Sequence, residues 1–226
     1  MSKLLEDLLY LPLDMENPPN DFINWLEDLQ FKNLYQDDYR NCFHVPIMFD
    51  MNKGNFKWTP WAYQVPQLRE WCEDVLFPLT GKSRIMIITT PSGDENPAHI
   101  DCSEEMFTTL QHKFRYVLQG NVDDLEFIGE EATLKPTSVN KPFIMSGKWP
   151  HKMKNTTNKT KFTFALGAPW DGSVDDKNYV SLIERSYKKY ETFYLENTLQ
   201  LPNNYKSLFE SEYNYRQKAK DLLSEK

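Results

Sequence analysis

Histidine, cysteine and glycine are scarce in this chain, and long apolar runs are missing altogether. Of its 226 residues, four are histidine, three are cysteine and eight are glycine. The cysteines (Cys42, Cys72 and Cys102) are odd in number, far apart and without a CxxC pairing. That spacing argues against a disulfide framework or a cysteine zinc site and suits reduced thiols in a cytoplasmic protein. No segment approaches the roughly 20 apolar residues that a membrane helix needs. The opening MSKLLEDLLYLPLDM is broken by Glu6, Asp7 and Pro12, so it reads as a helical turn or two and not as a secretion signal. The sequons at Asn155 and Asn158 are then chance matches. An excess of positive charge is also lacking. The net charge is -7, which disfavours a nucleic-acid partner, since such binding is built on clustered Lys and Arg. The one basic stretch, residues 152–161 (KMKNTTNKTK), reads as a solvated hairpin tip that carries a single inward lysine.

What is present is the composition of a folded domain. Hydrophobic residues make up 40%, charged residues 26% and aromatics 14%, enough for one packed core over residues 1–226. Residues 1–82 read as a mainly helical part. Phe22, Ile23, Trp25, Leu26 and Leu29 lie near helical spacing, and a strand is expected at 43–49. Pro66 opens a helix with a stripe of Leu68, Trp71, Cys72, Val75 and Leu76, which Pro78 and Gly81 end. Residues 83–170 differ in character. Short β-branched and aromatic runs at 84–90, 97–101, 113–119, 124–129, 142–146, 151–153 and 160–167 alternate with turn clusters, the pattern of an antiparallel sandwich or barrel. Residues 175–226 return to helix, with Tyr179, Ile183, Tyr187, Tyr190 and Tyr194 in one stripe and Leu208, Phe209, Tyr213, Leu222 and Leu223 contributing to another. The fold class expected is a mostly β core with flanking helices.

The scarce histidines carry the chemistry. In 97–103 (PAHIDCS), His99 and Asp101 are two residues apart, so on a strand they share a face while Ile100 and Cys102 turn away. An imidazole and a carboxylate so placed can take adjacent corners of a metal. A second imidazole from a later strand would complete a facial triad with open positions, the arrangement of non-haem Fe(II) oxygenases. His151 is the expected third ligand, because the 147–151 turn (GKWPH) fixes the backbone just before it. His112 borders a polar turn, and His44 precedes the β core without a carboxylate two residues on. An H-x-D alone is a weak signal, more often a core or surface histidine, and the strand context with a distal histidine is what raises it. Lys161 and Thr163, on one face of the next strand, offer a charge and a hydroxyl to a cosubstrate carboxylate, given that 151–153 and 160–167 pair across the Asn155–Asn158 turn.

The stretch from His99 to Trp170 resembles the small double-stranded β-helix (jelly-roll, cupin-like) 2-oxoglutarate/Fe(II) oxygenases, especially the aspartyl/asparaginyl β-hydroxylase and amino-acid hydroxylase branch. The residues that carry the resemblance are His99, Asp101, His151, Lys161 and Thr163, within about a third of the chain. It implies Fe(II), 2-oxoglutarate and O₂ as cofactor and cosubstrates, succinate and CO₂ as co-products, and hydroxylation of an amino acid, free or within a peptide. It also implies an arginine near the cosubstrate or substrate carboxylate, a place Arg115 could take. Two departures stand out: Lys161 occupies a position where that branch usually has arginine, and the link 102–111 before the Arg115 strand is long. Trp149 and Trp170 flank the proposed site and are candidates for substrate contact, while Trp58, Trp61 and Tyr63 lie on a loop that could cover the barrel mouth. Large aromatics are more often core than clamp. The alternatives are a phytanoyl-type hydroxylase of another small metabolite, a cupin-like metal enzyme that uses no 2-oxo acid, and a β-barrel binding module with incidental histidines.

Overall fold

Between Ile85 and Trp170 the strand pattern of the sequence becomes eight strands folded in two layers. In this computed structural model residues 2–29, 35–37, 42–50, 55–170 and 177–209 are described, and of residues 2, 35–37 and 168–170 only the backbone course. The eight are β5 (Ile85–Thr90), β6 (Glu95–His99), β7 (His112–Gln119), β8 (Leu125–Ile128), β9 (Thr133–Leu134), β10 (Phe143–Ser146), β11 (His151–Lys154) and β12 (Lys161–Trp170). Strands β10, β7, β12 and β5 run side by side in one sheet, and β6, β11, β8 and β9 form the other. All of these pairings are antiparallel. The chain crosses between sheets at nearly every step, which makes the core a double-stranded β-helix.

The larger sheet extends beyond this core. Strands β1 (Leu8–Pro12) and β13 (Leu195–Glu196) lie outside β10, while β2 (Tyr35–Asp37), β3 (Cys42–Asp50) and β4 (Phe56–Trp58) lie outside β5. The helical reading of the N-terminal part is therefore corrected. Residues 8–12 (LLYLP) are buried at every position and pair with β10. A short run that is apolar on both faces carries neither period, so strand and helix cannot be told apart from it. The helical reading of the C-terminal part is corrected in the same way. One helix spans Lys177–Tyr190 and buries Tyr179, Leu182, Ile183 and Tyr190, but Leu195–Glu196 is a strand on β1 and 205–208 a single 3₁₀ turn. Tyr213, Leu222 and Leu223 lie outside the described residues.

The Pro66 helix forms as its stripe requires, Pro66–Trp71 continuing through a π-helical turn at Cys72–Leu76 into Phe77–Thr80. It runs past Pro78 instead of ending there. The wider turn lets the Phe77 N–H reach the Cys72 carbonyl, and a proline in the first turn of the next segment has no N–H to leave unpaired. Gly81, at φ 71°, ends it.

Strand parity divides two cores. On β12, Phe162, Phe164 and Leu166 point outward under the helices, where the Trp71 ring meets Phe164 edge-on at 5.9 Å. Lys161, Thr163 and Ala165 lie on the opposite face, toward the second sheet. Between the sheets, one end is closed by Leu9, Tyr10, Val117, Leu125, Phe127 and Phe143. The other end holds the histidines. All three cysteines are buried and none forms a disulfide. Among the described residues no helix is long and apolar enough to cross a membrane.

The expected hairpin between 151–153 and 160–167 does not form. Strand β11 pairs with β6 and β8 in the smaller sheet, and β12 with β5 and β7 in the larger. The link between them turns a corner between sheets, held by Asn155. Its side chain is fully buried, donates to the carbonyls of Thr90, Pro91 and Lys159, and accepts from the Thr157 amide and hydroxyl. A buried asparagine with this many partners explains a polar turn cluster that is no solvated tip.

Candidate metal centre

His99, Asp101 and His151 are brought together. One donor atom from each lies within 4.8 Å of the others, and all three side chains are buried. His99 Nε2 stands 3.5 Å from Asp101 Oδ1, and His151 Nε2 stands 3.7 Å from Asp101 Oδ2. The two imidazoles, directly paired across β6 and β11, have centroids 4.4 Å apart.

The backbone fixes both rings. His99 Nδ1 donates to the Pro97 carbonyl at 2.7 Å, and His151 Nδ1 to the Trp149 carbonyl at 2.8 Å. A carbonyl can only accept, so in each ring Nδ1 carries the proton and Nε2 offers its lone pair toward the centre. In both cases the carbonyl belongs to the residue two positions earlier, supplied by a local irregularity. On β6 two residues, Pro97 and Ala98, oppose the single Lys152 of β11, a bulge whose Pro97 has no N–H for the ladder. The bulge also turns Asn96 inward alongside His99. On the other side the 147–150 turn feeds β11. Asp101 lies just past the end of β6, where its N–H donates to the Gly147 carbonyl at 2.9 Å. Ile100 between them turns away and is fully buried.

Electrostatics hold the His151 ring neutral. His151 has its pKa pushed down to about 3, first by burial and then by the neighbouring His99. It therefore needs no deprotonation at neutral pH before binding a metal. Asp101 is paired with Arg115, whose Nη2 donates to Oδ2 at 2.8 Å. Two imidazole nitrogens, one carboxylate and tight convergence from one wall fit a divalent metal with open positions opposite.

The cavity in front of the triad is about 50 Å³, room for an ion and a few small ligand atoms. Thr163 and Arg115 line it. Lys161 does not. It shares the inner face of β12, yet its ammonium lies fully buried behind the wall, donating to Asp124 Oδ2 at 3.0 Å and to the Asn121 carbonyl. Burial lowers its pKa, and Asp124 opposes the fall. Trp149 contributes its carbonyl to His151, and its ring packs against the closed-end core. The side chain of Trp170 lies outside the described residues.

The other histidines stand elsewhere. His112 is buried between the Leu5 carbonyl and the Tyr179 hydroxyl, and His44 Nε2 lies 3.4 Å from Cys42 Sγ. Arg84, Lys113 and Asn96 also line the cavity and were not anticipated. Strand parity could have found Lys113, two residues before Arg115. Arg84 sits at a strand edge and Asn96 before a bulge, where parity fails.

No protein-family model matches the chain, and no curated protein matches it. Solved structures resemble it in fold. An oxidoreductase of the 2OG-Fe(II) oxygenase family from Burkholderia pseudomallei is 11% identical, with 68% of this chain and 79% of that chain covered at a TM-score of 0.43. A prolyl-4-hydroxylase from Pseudomonas putida is 13% identical, with 73% and 95% covered at 0.41. A cupin 2 conserved barrel protein from Salinispora arenicola is 12% identical, with 76% and 98% covered at 0.35. Similarity of this degree leaves the chemistry to the site's own geometry.

Proposed function

We propose that the protein is a non-haem Fe(II)- and 2-oxoglutarate-dependent oxygenase that hydroxylates an amino acid, free or within a peptide. One observation carries the reading: the buried convergence of His99, Asp101 and His151 on a single point, with both histidines held in the tautomer that presents Nε2. With Fe(II) bound, such a site supplies O₂ activation coupled to decarboxylation of 2-oxoglutarate, yielding succinate, CO₂ and one hydroxylated C–H bond.

The chain's own residues have separable tasks. His99 and His151 donate nitrogen, and Asp101 donates one carboxylate oxygen while Arg115 holds the other. Thr163 presents a hydroxyl to the cosubstrate from the cavity wall. Lys161 would neutralise the far carboxylate only by exchanging Asp124 for it. Met86, Ile88 and Met153 line the rest of the wall and limit water.

The pairing of Lys161 with Asp124 favours a second reading, a cupin-like metal enzyme of the same fold that uses no 2-oxo acid. Anaerobic titration separates the two. Fe(II) followed by 2-oxoglutarate should develop the weak visible charge-transfer band of the chelate, absent in Asp101→Ala. Stoichiometric Fe(II) binding with no band on adding 2-oxoglutarate would favour the second reading. Absence of metal binding would overturn both.

A further inference from the structure

After β13 the chain runs as a strap, residues 197–209, that reaches the metal centre at Leu208 and Phe209. It is pinned in steps along the way. Asn197 N–H donates to the Asp7 carbonyl at 2.7 Å, and the Gln200 carbonyl accepts from Glu130 N–H at 3.0 Å. Asn203 donates to both oxygens of Glu130, from its backbone at 2.6 Å and its side chain at 2.5 Å. The last step is Ile100, the buried residue between His99 and Asp101. Its N–H donates to the Leu208 carbonyl at 2.7 Å, and Phe209 is bridged to it in parallel. The next amide, that of Asp101, donates to Gly147. Two successive N–H groups past the end of β6 thus find acceptors on two segments distant in sequence, and one of these is the strap. Buried N–H groups need such partners, so lifting the strap would release the backbone that carries two of the three ligands.

Side chains tie the same strap to the third ligand. Phe107, on the long link between Asp101 and β7, stacks on Tyr205 with ring centroids 5.5 Å apart and meets Phe209 edge-on at 5.4 Å. Tyr205 and Phe209 meet at 5.9 Å. Lys148, in the turn that aims His151, sets its ammonium 5.6 Å from the centre of the Phe107 ring, a cation–π contact. The three rings therefore bear on the His99–Asp101 segment through Phe209 and on the His151 turn through Phe107. The exposed Lys206–Glu104 pair at 3.3 Å adds little.

We infer that the strap is a positioning element of the metal centre, so that docking of Tyr205, Leu208 and Phe209 and binding of a divalent ion favour one another. None of these residues lines the metal-facing cavity; they act through Ile100 and Lys148. A site whose ligands are already held in place loses less freedom when the ion arrives. The coupling is reciprocal, so the bound ion must in turn hold the strap down.

The inference rests on the metal centre of the proposed function and not on its cosubstrate. The probe is Zn(II), titrated into the full chain against a chromophoric chelator, at a temperature where circular dichroism shows every variant folded. Tyr205→Ala should weaken zinc binding about fivefold or more, whereas Tyr205→Phe, which keeps the stacked ring, should bind as the wild type does. Tyr187→Ala removes another half-buried ring, one that meets Tyr194 edge-on and no residue of the strap. It should leave zinc affinity unchanged. Hydrogen exchange of the wild type tests the same coupling without a substitution: saturating Zn(II) should slow the Ile100 amide and those of the 205–208 turn about fivefold. Zinc affinity unchanged in Tyr205→Ala, or lowered as much by Tyr187→Ala, would overturn the inference, as would strap exchange indifferent to zinc. Each of those results leaves the metal reading standing. A wild type that binds no zinc would overturn the metal reading and the inference together.

Discussion

Arg115 Nη2 donates to Asp101 Oδ2 at 2.8 Å, while Nη1 of the same guanidinium donates to the carbonyls of Phe114 and Leu166 at 2.9 and 3.0 Å. The arginine is thus braced on two strands and holds one oxygen of the carboxylate still. The family resemblance implied Arg115 near the cosubstrate or substrate carboxylate. It does line the metal-facing cavity, and it also orients the aspartate, leaving Oδ1 directed at His99.

Removing that brace frees the carboxylate to rotate and leaves it buried beside two imidazoles. Arg115→Met should lower divalent-metal affinity about 10- to 100-fold, read by competition with a chromophoric zinc chelator. An unchanged affinity would mean that Asp101 is oriented well enough by its own backbone bond to Gly147.

A different histidine governs acid stability. His112 joins three segments: its Nε2 donates to the Leu5 carbonyl at 2.9 Å, and its Nδ1 accepts from the Tyr179 hydroxyl. Burial pushes its pKa down to about 4, against the Leu5 hydrogen bond and with the help of Lys148. An unfolded histidine titrates near about 6.5, so in acid the unfolded chain binds the extra proton. Stability contributed by the neutral ring is intact above that value and is lost as pH falls from about 6.5 to about 4. The slope for this one proton is at most about 1.4 kcal/mol per pH unit. His151 contributes with the same sign over a window reaching about 3. Thermal melts of the metal-free protein across this range should therefore fall less steeply for His112→Gln than for the wild type. Parallel curves would show that His112 is not among the groups responsible.

These particulars show what could be read in the sequence. The triad was legible because it depends on local rules: His99 and Asp101 are two apart at a strand end, and the GKWPH turn aims His151. Seven of the eight core strands were legible from alternation, and the two-residue β9 (Thr133–Leu134) was too short to show one. The pairing of those strands was not, since an NTTN cluster serves equally well for a hairpin and for a corner between sheets. Only the buried hydrogen bonds of Asn155 to Thr90 and Pro91, more than sixty residues away, decide between them. Asp124 was likewise invisible as the partner of Lys161, because the contact spans 37 residues, from the 3₁₀ turn before β8 to the start of β12.

The Lys161–Asp124 pair is buried on both sides, with side-chain exposures of 0% and 4%. Asp124 also accepts from the Thr156 hydroxyl at 2.6 Å, so the closed end of the barrel is tied to the corner after β11. Lys161→Met would leave a buried carboxylate without its cation and should cost about 3–5 kcal/mol of stability in chemical denaturation. Asp124→Asn tests the functional share. If the ammonium serves the cosubstrate, this change should tighten 2-oxoglutarate binding even as it destabilises the fold. Loss of stability in both variants with no change in 2-oxoglutarate affinity would make the pair a structural element alone.

Gly147 links Asp101 to the segment of Gln111. Its carbonyl accepts from Asp101 N–H, and its own N–H donates to the Gln111 carbonyl at 2.6 Å. A Cβ at this position would lie 2.7 Å from Lys113 Cε and 2.9 Å from its Cγ, closer than carbon atoms can approach. Gly147→Ala should therefore force the lysine stem aside and destabilise the fold by about 1–3 kcal/mol. Because the clash is with a flexible side chain, Gly147→Ala/Lys113→Ala should regain most of that loss, a coupling that a double-mutant cycle in urea reads directly. Zinc binding should follow the same pattern, falling in Gly147→Ala and returning toward the wild-type value in the double variant. If stability is not regained, the obstruction lies instead at the Gln111 carbonyl, 3.1 Å from the same Cβ. The glycine would then be required by the backbone that anchors Asp101 and not by the lysine that crosses it.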